Sequence, residues 1–219
     1  MVRWAVIGIV LVSVGLLTGC GGNDIGGGQQ QLVLEPMDDE TGMGALALLN
    51  LLPAADTFIN QGAPGVNYGG SGALHCGNYP RGTCLRPMLR FDLTKIPKTA
   101  TINKAQLRLY VLQVNQGTDV YKIHRVTQPW DEMGATWATH NAAYAAGVLS
   151  SRTIGPAQVN TTVNFPLVGL VQTWVKDPAR NYGLMIKGTE GAARIGVVFA
   201  SRQNLVALRR PRLYVDYTP

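Results

Sequence analysis

Basic and aromatic side chains are the groups in this chain best suited to recognise a ligand. Arginine and lysine bind anionic groups, and an indole ring stacks against the apolar face of a sugar. The candidate ligand-binding residues are Arg81, Arg86, Arg90, Lys122, Arg125, Trp130 and Trp137, with Arg209 and Arg210 as further basic candidates. The alternative is that the cations are only solvated and that both tryptophans pack the end of the fold.

The carboxylates and histidines do not form a catalytic pattern. A glycoside hydrolase needs two facing carboxylates, but the acids are scattered, and Asp131 and Glu132 would point to opposite sides of an extended chain. His75, His124 and His140 are far apart in sequence, and the chain has no nucleophile elbow, phosphate loop or two-His metal motif. The sequence therefore predicts a protein that is not an enzyme.

The first twenty residues have the pattern of an export signal. Arg3 precedes the apolar run 4–17, which is too short to span a membrane. The sequence L-T-G-C at 17–20 is similar to the lipobox of bacterial lipoproteins at each of its four positions. This resemblance implies cleavage before Cys20 and acylation of its thiol. Because Gly21 and not Asp follows, it also implies the outer membrane if the cell is Gram-negative. An ordinary signal peptide is the alternative.

Two cysteines remain, in the stretch H-C-G-N-Y-P-R-G-T-C. Export places Cys76 and Cys84 in an oxidising compartment, and the turn-forming residues between them favour a disulfide. A metal site that adds His75 is the alternative, although no fourth ligand is nearby. Asp56 is a separate candidate for a metal ligand, in a structural Ca²⁺ site with loop carbonyls. The alternative is that Asp56 caps a turn. We expect no other cofactor.

The chain divides into three regions by composition. Residues 1–19 are the predicted signal peptide, residues 20–54 a Gly- and Gln-rich tether that begins at the lipidated cysteine, and residues 55–219 the folded domain. Within the tether, 32–35 is a candidate first strand, and the apolar segment 45–52 fits either a short helix or a buried strand. Residues 41–219 hold 18 bases and 8 acids, a net charge of +10 that makes an anionic partner plausible.

The apolar pattern of the folded region is that of short strands. R-P-M-L-R-F-D-L-T-K-I-P at 86–97 alternates apolar and polar residues, as a half-buried strand does, and places Arg90 and Asp92 on the outward side, where we expect them to pair with each other or with a neighbouring strand. One short amphipathic helix follows Pro166, with apolar residues recurring at three- and four-residue steps from Leu167 to Val175. About eight or more strands with one helix predict an all-β jelly-roll sandwich.

A series of motifs in a fixed order points to a family. They are A-D-T-F-I at 55–59, N-Y-G at 67–69, L-R-F-D-L-T-K-I-P at 89–97, A-Q-L-R-L-Y-V at 105–111, P-W-D-E-M-G-A-T-W at 129–137, L-V-Q-T-W-V at 170–175, N-Y-G-L-M-I-K-G at 181–188 and P-R-L-Y-V-D-Y at 211–217. Together they resemble the DNRLRE domain family, which is related to disaggregatase repeats and certain carbohydrate-binding modules. The resemblance implies a jelly-roll sandwich of secreted and cell-surface proteins, some of which bind polyuronates.

These observations lead to one expected function and one alternative. We expect a lipid-anchored, non-catalytic module of the cell envelope that binds an acidic polysaccharide or another anionic glycan. Its partners would be the membrane, through the anchor, and the glycan; nucleic acid is not expected. The alternative is a structural or adhesive envelope protein that binds another protein or assembles with itself.

Overall fold

The computed structural model describes residues 46–79, 82–191 and 194–219, which belong to one compact unit, Gly42–Pro219. The predictions for the signal peptide, Cys20, the tether up to residue 45, with its candidate strand 32–35, and Arg81 lie outside the described residues. Among the helices of the described part, none is long and apolar enough to cross a membrane.

The described part of the chain forms eleven strands and two helices. The strands are β1 Ala47–Leu51, β2 Ala55–Asn60, β3 Ala73–Tyr79, β4 Thr83–Arg90, β5 Thr101–Asn115, β6 Asp119–Arg125, β7 Ser150–Ile154, β8 Thr162–Pro166, β9 Leu184–Lys187, β10 Gly196–Ala200 and β11 Arg212–Thr218. The helices are α1 Trp137–His140 and α2 Val168–Lys176. Short 3₁₀ turns lie at Pro156–Gln158, Pro178–Arg180 and Ala207–Arg209.

All strand pairs are antiparallel, and the strands follow one another in the order β1-β11-β5-β10-β3-β4-β9-β6-β7, with β2 added to β4 and β8 added to β5. The long strand β5 joins two parts of this curled sheet, because its first residues pair with β11 and β8 and its last with β10. We call the four strands β1, β11, β5 and β8 sheet A, and the strands from β10 to β7, with β2, sheet B. This arrangement confirms the predicted all-β jelly-roll sandwich.

The main hydrophobic core lies between the two sheets. Alternate residues of β5, namely Ala105, Leu107 and Leu109, are fully buried in it, as the period-2 pattern predicts. Helix α2 closes the core with Leu170, Val171, Trp174 and Val175, which confirms the predicted helix. Gln172 fastens α2 to the start of β5, since its Oε1 accepts from Ile102 N at 2.9 Å.

The strand within 86–97 is shorter than its sequence pattern indicates. Strand β4 ends at Arg90, yet Phe91 and Leu93 are still buried in the core. The prediction of a half-buried strand is also wrong, because Arg86 and Met88, on the side predicted to face outward, are buried as well. The predicted Arg90–Asp92 pair is wrong: the Arg90 Cζ lies 5.8 Å from the Trp130 ring centroid, and Asp92 Oδ1 accepts from Thr94 N at 2.9 Å.

The ambiguous segment 45–52 contains a strand. β1 pairs with β11 along its whole length, from Ala47 opposite Tyr217 to Leu51 opposite Leu213. Leu49 packs against the core while Leu48 points to solvent, so one face of the segment is buried.

The predicted disulfide is absent, because Cys76 and Cys84 are both free, buried thiols. Cys84 lies opposite Asn78 in the β3–β4 hairpin, so the two cysteines are not cross-strand neighbours. The Cys76 Sγ instead donates to the backbone oxygen of Ile186 at 3.6 Å, inside the core. The register of β3 against β4 therefore offsets Cys76 by two residues from the position opposite Cys84.

Candidate functional site

Arg86 is enclosed by the loop that follows β6. It is 8% exposed, its Cζ lies 4.5 Å from the Trp137 ring centroid, and its Nε forms a 2.6 Å ion pair with Glu190 Oε1. The ring of Tyr144 lies on another side, with its centroid 5.4 Å from the Arg86 Cζ. Arg86 therefore pairs with groups of the protein itself and is not available to a ligand.

Trp130 is similarly buried, at 6% exposure. Its Nε1–H donates to the backbone oxygen of Tyr182 at 2.7 Å, and it belongs to a second small core with Met88 and Met185. Arg90 covers its ring. These contacts match the alternative interpretation of the tryptophans, in which they pack the end of the sandwich.

The two basic candidates on β6 lie apart from this cluster. Lys122 is exposed and has Lys187 and Ser151 as its strand partners, while Arg125 is half-buried at the end of the strand. Lys187 is already engaged, since its Nζ donates to the Tyr144 hydroxyl at 2.6 Å. The predicted basic residues on sheet B, Arg86, Arg90, Lys122 and Arg125, therefore do not form one site.

Asp56 is a buried carboxylate at the edge of sheet B, and only 1% of it is exposed. Its Oδ2 accepts from Arg202 N at 2.7 Å, and its own N–H donates to Glu132 Oε1 at 2.9 Å. The pKa of Asp56 is raised to about 7, chiefly by burial; the hydrogen bond from Arg202 N opposes the rise, the Glu132 carboxylate contributes to it, and the charge of Arg202 opposes it. Within the described residues, no group of three or more His, Cys, Asp or Glu is placed to hold a metal ion.

Two of the sequence motifs meet beside this carboxylate. The Asn67 side chain of N-Y-G donates to the backbone oxygens of Glu132 and Ala135 at 2.9 and 2.8 Å. Gly69 lies so close that a Cβ there would be 2.2 Å from the Glu132 backbone oxygen, which no side chain permits. These motifs therefore hold two loops together.

The outer face of sheet A presents a different set of side chains. Because Ala105, Leu107 and Leu109 point inward, their neighbours on β5 point outward, and the same alternation on β11 turns Arg212, Tyr214 and Asp216 outward. The outward residues of the four strands include Leu48, Asn50, Lys104, Gln106, Arg108, Tyr110, Thr162, Asn164, Arg212, Tyr214 and Asp216. We call this surface the sheet A face.

Two arginines stand directly opposite each other in the middle of the sheet A face. Arg108 and Arg212 are partners in the β5–β11 register, and like charges in this position destabilise a sheet. Two pairs further along the face, Lys104 stands opposite Asp216, a residue of opposite charge. Among the described residues, the ion pairs include neither Arg108 nor Arg212, so this row of the face carries positive charge without a carboxylate.

Tyrosine rings lie beside these charges. The Arg108 Cζ is 4.8 Å from the Tyr214 ring centroid, and the Arg209 Cζ is 5.0 Å from that of Tyr110. The Asn50 Nδ2 donates to the Tyr214 hydroxyl at 3.3 Å and so fixes the edge of that ring. Such half-exposed aromatic rings offer a flat apolar surface next to hydrogen-bonding groups.

Two adjoining depressions on the sheet A face, of about 440 and 260 Å³, share Asn50, Arg108 and Tyr214 in their linings. A cavity of about 470 Å³ next to α2 is lined by Arg90, Asp92 and Lys98 together with many core residues. We prefer the sheet A face because Arg108 and Arg212 line the smaller depression, whose lining contains no carboxylate, whereas Asp92 lines the cavity next to α2 beside Arg90 and Lys98.

Two of the sequence motifs predict which residues lie on this face, but not which strands are neighbours. In A-Q-L-R-L-Y-V and P-R-L-Y-V-D-Y, every second residue is apolar and the residues between are basic, aromatic or polar. That pattern places Arg108 and Tyr214 on outward positions. It does not state that β5 and β11 are neighbours, which is what brings Arg108 and Arg212 together.

A β-sandwich whose exposed sheet face carries arginines beside tyrosine rings has the features of a glycan-binding module. The chain belongs to carbohydrate-binding module family 96, whose family model matches residues 47–217. The match bears out the predicted resemblance to carbohydrate-binding modules, and the DNRLRE family itself stays a prediction. Families of such modules are typically non-catalytic.

No curated protein matches the chain. Among solved structures, it is similar to a chain in the cryo-EM structure of Mud crab tombus-like virus, with 11% sequence identity over 92% of this chain and 91% of that one, and a TM-score of 0.25. A similarity at that TM-score carries no argument about fold or function.

Proposed function

We propose that the protein is a non-catalytic module that binds an acidic polysaccharide on the sheet A face. Arg108 and Arg212 would hold a carboxylate or sulfate group, and Tyr214 would stack against a neighbouring sugar ring. The supporting observation is the direct opposition of two arginines that have no carboxylate partner among the described residues, beside the half-exposed ring of Tyr214. An anion between them would relieve the repulsion that the free protein carries.

The electrostatic balance of the folded region favours the same ligand. Residues 41–219 carry a net charge of +10, which favours the approach of an anionic polymer. Membership of a carbohydrate-binding family supports a glycan over other anions.

The test is affinity chromatography of the purified chain on an immobilised uronate polymer, with a neutral glucan as the matched control. We expect retention on the uronate polymer and elution by salt, because the attraction between exposed charges is screened. The absence of salt-sensitive retention on any of a broad panel of glycans would contradict the proposal. Self-association of the chain without glycan binding would favour the alternative, an adhesive envelope protein.

We also propose that the mature protein begins at a lipidated Cys20 and is held at the cell envelope, in the outer membrane of a Gram-negative cell. The supporting observation is the L-T-G-C sequence directly after an apolar run. Metabolic labelling with a fatty acid tests this proposal, because Cys20→Ser should abolish the label. A label that persists in Cys20→Ser would contradict it.

A structural Ca²⁺ at Asp56 stays a proposal. Two buried acceptors, Asp56 Oδ1 and Gln203 Oε1, have no hydrogen-bond donor, and the Glu132 carboxylate is close to both side chains. Oxygen donors of this kind suit Ca²⁺. Arg202 competes for the position, since its Nη1 lies 3.2 Å from Glu132 Oε2. Ca²⁺ binding would raise the thermal transition of the chain above that in chelator.

A further inference from the structure

Two leucines stand almost fully exposed on the loop between β10 and β11. Leu205 is 97% exposed and Leu208 is 96% exposed, and Val206 between them is also exposed. Scattered apolar residues are ordinary on protein surfaces, but adjoining ones mark a contact site. We call residues 205–208 the leucine tip.

The loop that carries the leucine tip is fixed by hydrogen bonds. Asn204 Nδ2 donates to the backbone oxygen of Gly72 at 3.0 Å, which ties the loop to the start of β3. Within the loop, Val206 N donates to Asn204 Oδ1 at 3.0 Å, and Arg210 Nε donates to the Asn204 oxygen at 2.9 Å. The loop therefore presents the leucines to solvent in a defined conformation.

The surroundings of the leucine tip are basic. Leu208 lines the smaller depression of the sheet A face together with Arg108, Arg209, Arg210 and Arg212, and this lining contains no Asp or Glu. Arg209 and Arg210 also follow Leu208 directly in the sequence. A surface that combines apolar side chains with arginines complements an anionic lipid surface, where each cation adds attraction and each leucine adds buried apolar area.

We propose that the leucine tip docks onto the surface of an anionic lipid bilayer. Leu205 and Leu208 enter the boundary between headgroups and acyl chains, and Arg209 and Arg210 contact lipid phosphates. A second copy of this chain would fit the leucine tip less well than a lipid surface. Two-fold pairing of the tips would set these arginines against those of the other copy, and no carboxylate in 191–215 would offset them.

The first experiment uses the compact unit Gly42–Pro219, which lacks the predicted signal and anchor. It should sediment with vesicles of mixed phosphatidylcholine and phosphatidylglycerol but not with phosphatidylcholine alone, and salt should weaken binding. The double variant Leu205→Ser/Leu208→Ser should bind the mixed vesicles at least about tenfold more weakly, since each leucine loses its burial. Circular dichroism checks that the unit and its variants are folded.

The matched control is the variant Met133→Ser, which removes an apolar side chain that is 66% exposed on another loop. It should bind vesicles as the unmodified unit does. In the full chain bound to vesicles, tryptophan placed by Leu205→Trp should be quenched by brominated lipids, whereas tryptophan placed by Met133→Trp should not.

Three results would overturn the proposal. The first is equal vesicle binding by the unit and its Leu205→Ser/Leu208→Ser variant, and the second is no binding to the mixed vesicles. The third is a dimer that forms without vesicles and is lost in that variant, which would assign the tip to a second copy. Retention on uronate polymer is measured separately, so failure here leaves the glycan proposal standing.

Discussion

Arg108 and Arg212 lie directly opposite each other on β5 and β11, with outward side chains and no carboxylate partner among the described residues. A protein that keeps such a pair carries repulsion in its free state. The pair becomes favourable when an anion lies between the two guanidinium groups, and it is therefore the best place to test binding.

The substitutions Arg108→Ala and Arg212→Ala should each weaken retention on a uronate polymer by about tenfold or more, because a charge-assisted hydrogen bond contributes about 1.5–3 kcal/mol. Neither should destabilise the fold, and relief of like-charge repulsion should leave the thermal transition unchanged or slightly higher. Lys122→Ala, on sheet B, is the matched control and should keep full retention. A loss of retention in Lys122→Ala but not in the arginine variants would place the site on sheet B.

Tyr214→Ala should weaken glycan binding by loss of the stacking surface, an effect of about 1 kcal/mol. Tyr214→Phe keeps the ring and loses only the hydrogen bond from Asn50, so its binding should be close to that of the unmodified chain. Titration calorimetry with a soluble uronate oligomer measures both. If Tyr214→Phe is as weak as Tyr214→Ala, the ring does not act by stacking.

Trp130→Phe should lower stability and leave glycan binding unchanged. The substitution removes the indole N–H that donates to the backbone oxygen of Tyr182, at a cost of about 1–3 kcal/mol, and leaves a gap in the small core. Thermal unfolding should therefore shift down by several degrees. Lost retention on uronate polymer in a variant that is still folded would restore Trp130 as a ligand-binding residue.

Stability should depend on pH through Asp56. The pKa of this carboxyl is 3.8 when it is exposed to water and about 7 in the fold, so between these pH values the folded state holds a proton that the unfolded state has lost. The free energy of unfolding should then fall as pH rises from about 4 to about 7, by roughly a few kcal/mol.

The Asp56→Asn variant checks this prediction, because Asn can still accept from Arg202 N and has no proton to lose. In chelator, the thermal transitions at about pH 4.5 and about pH 8, on either side of the pKa in the fold, should differ less for Asp56→Asn than for the unmodified chain. Equal pH dependence in the two proteins would assign it to other groups.

The thiols of Cys76 and Cys84 should remain free after export. Thermal unfolding should be the same with and without reductant, and both thiols should react with a thiol reagent once the chain is denatured without reductant. A reductant-dependent transition would show that a disulfide forms after all.

The fold class follows from the sequence, because the period-2 burial along β5 and β11 and the three- and four-residue steps of α2 are local patterns. It also identified the carbohydrate-module resemblance, since the motifs that hold loops together, such as Asn67 and Gly69 against Glu132, are short and local.

Which cations are available to a ligand depends on the tertiary structure. Arg86 and Arg90 look exposed by alternation, but the loop that carries Trp130 and Trp137 covers the outer side of β4, and that packing joins residues distant in sequence. The pairing of β5 with β11 is equally non-local, and it places Arg108 against Arg212. Strand register and loop packing depend on contacts between distant segments, which no local pattern in the chain encodes.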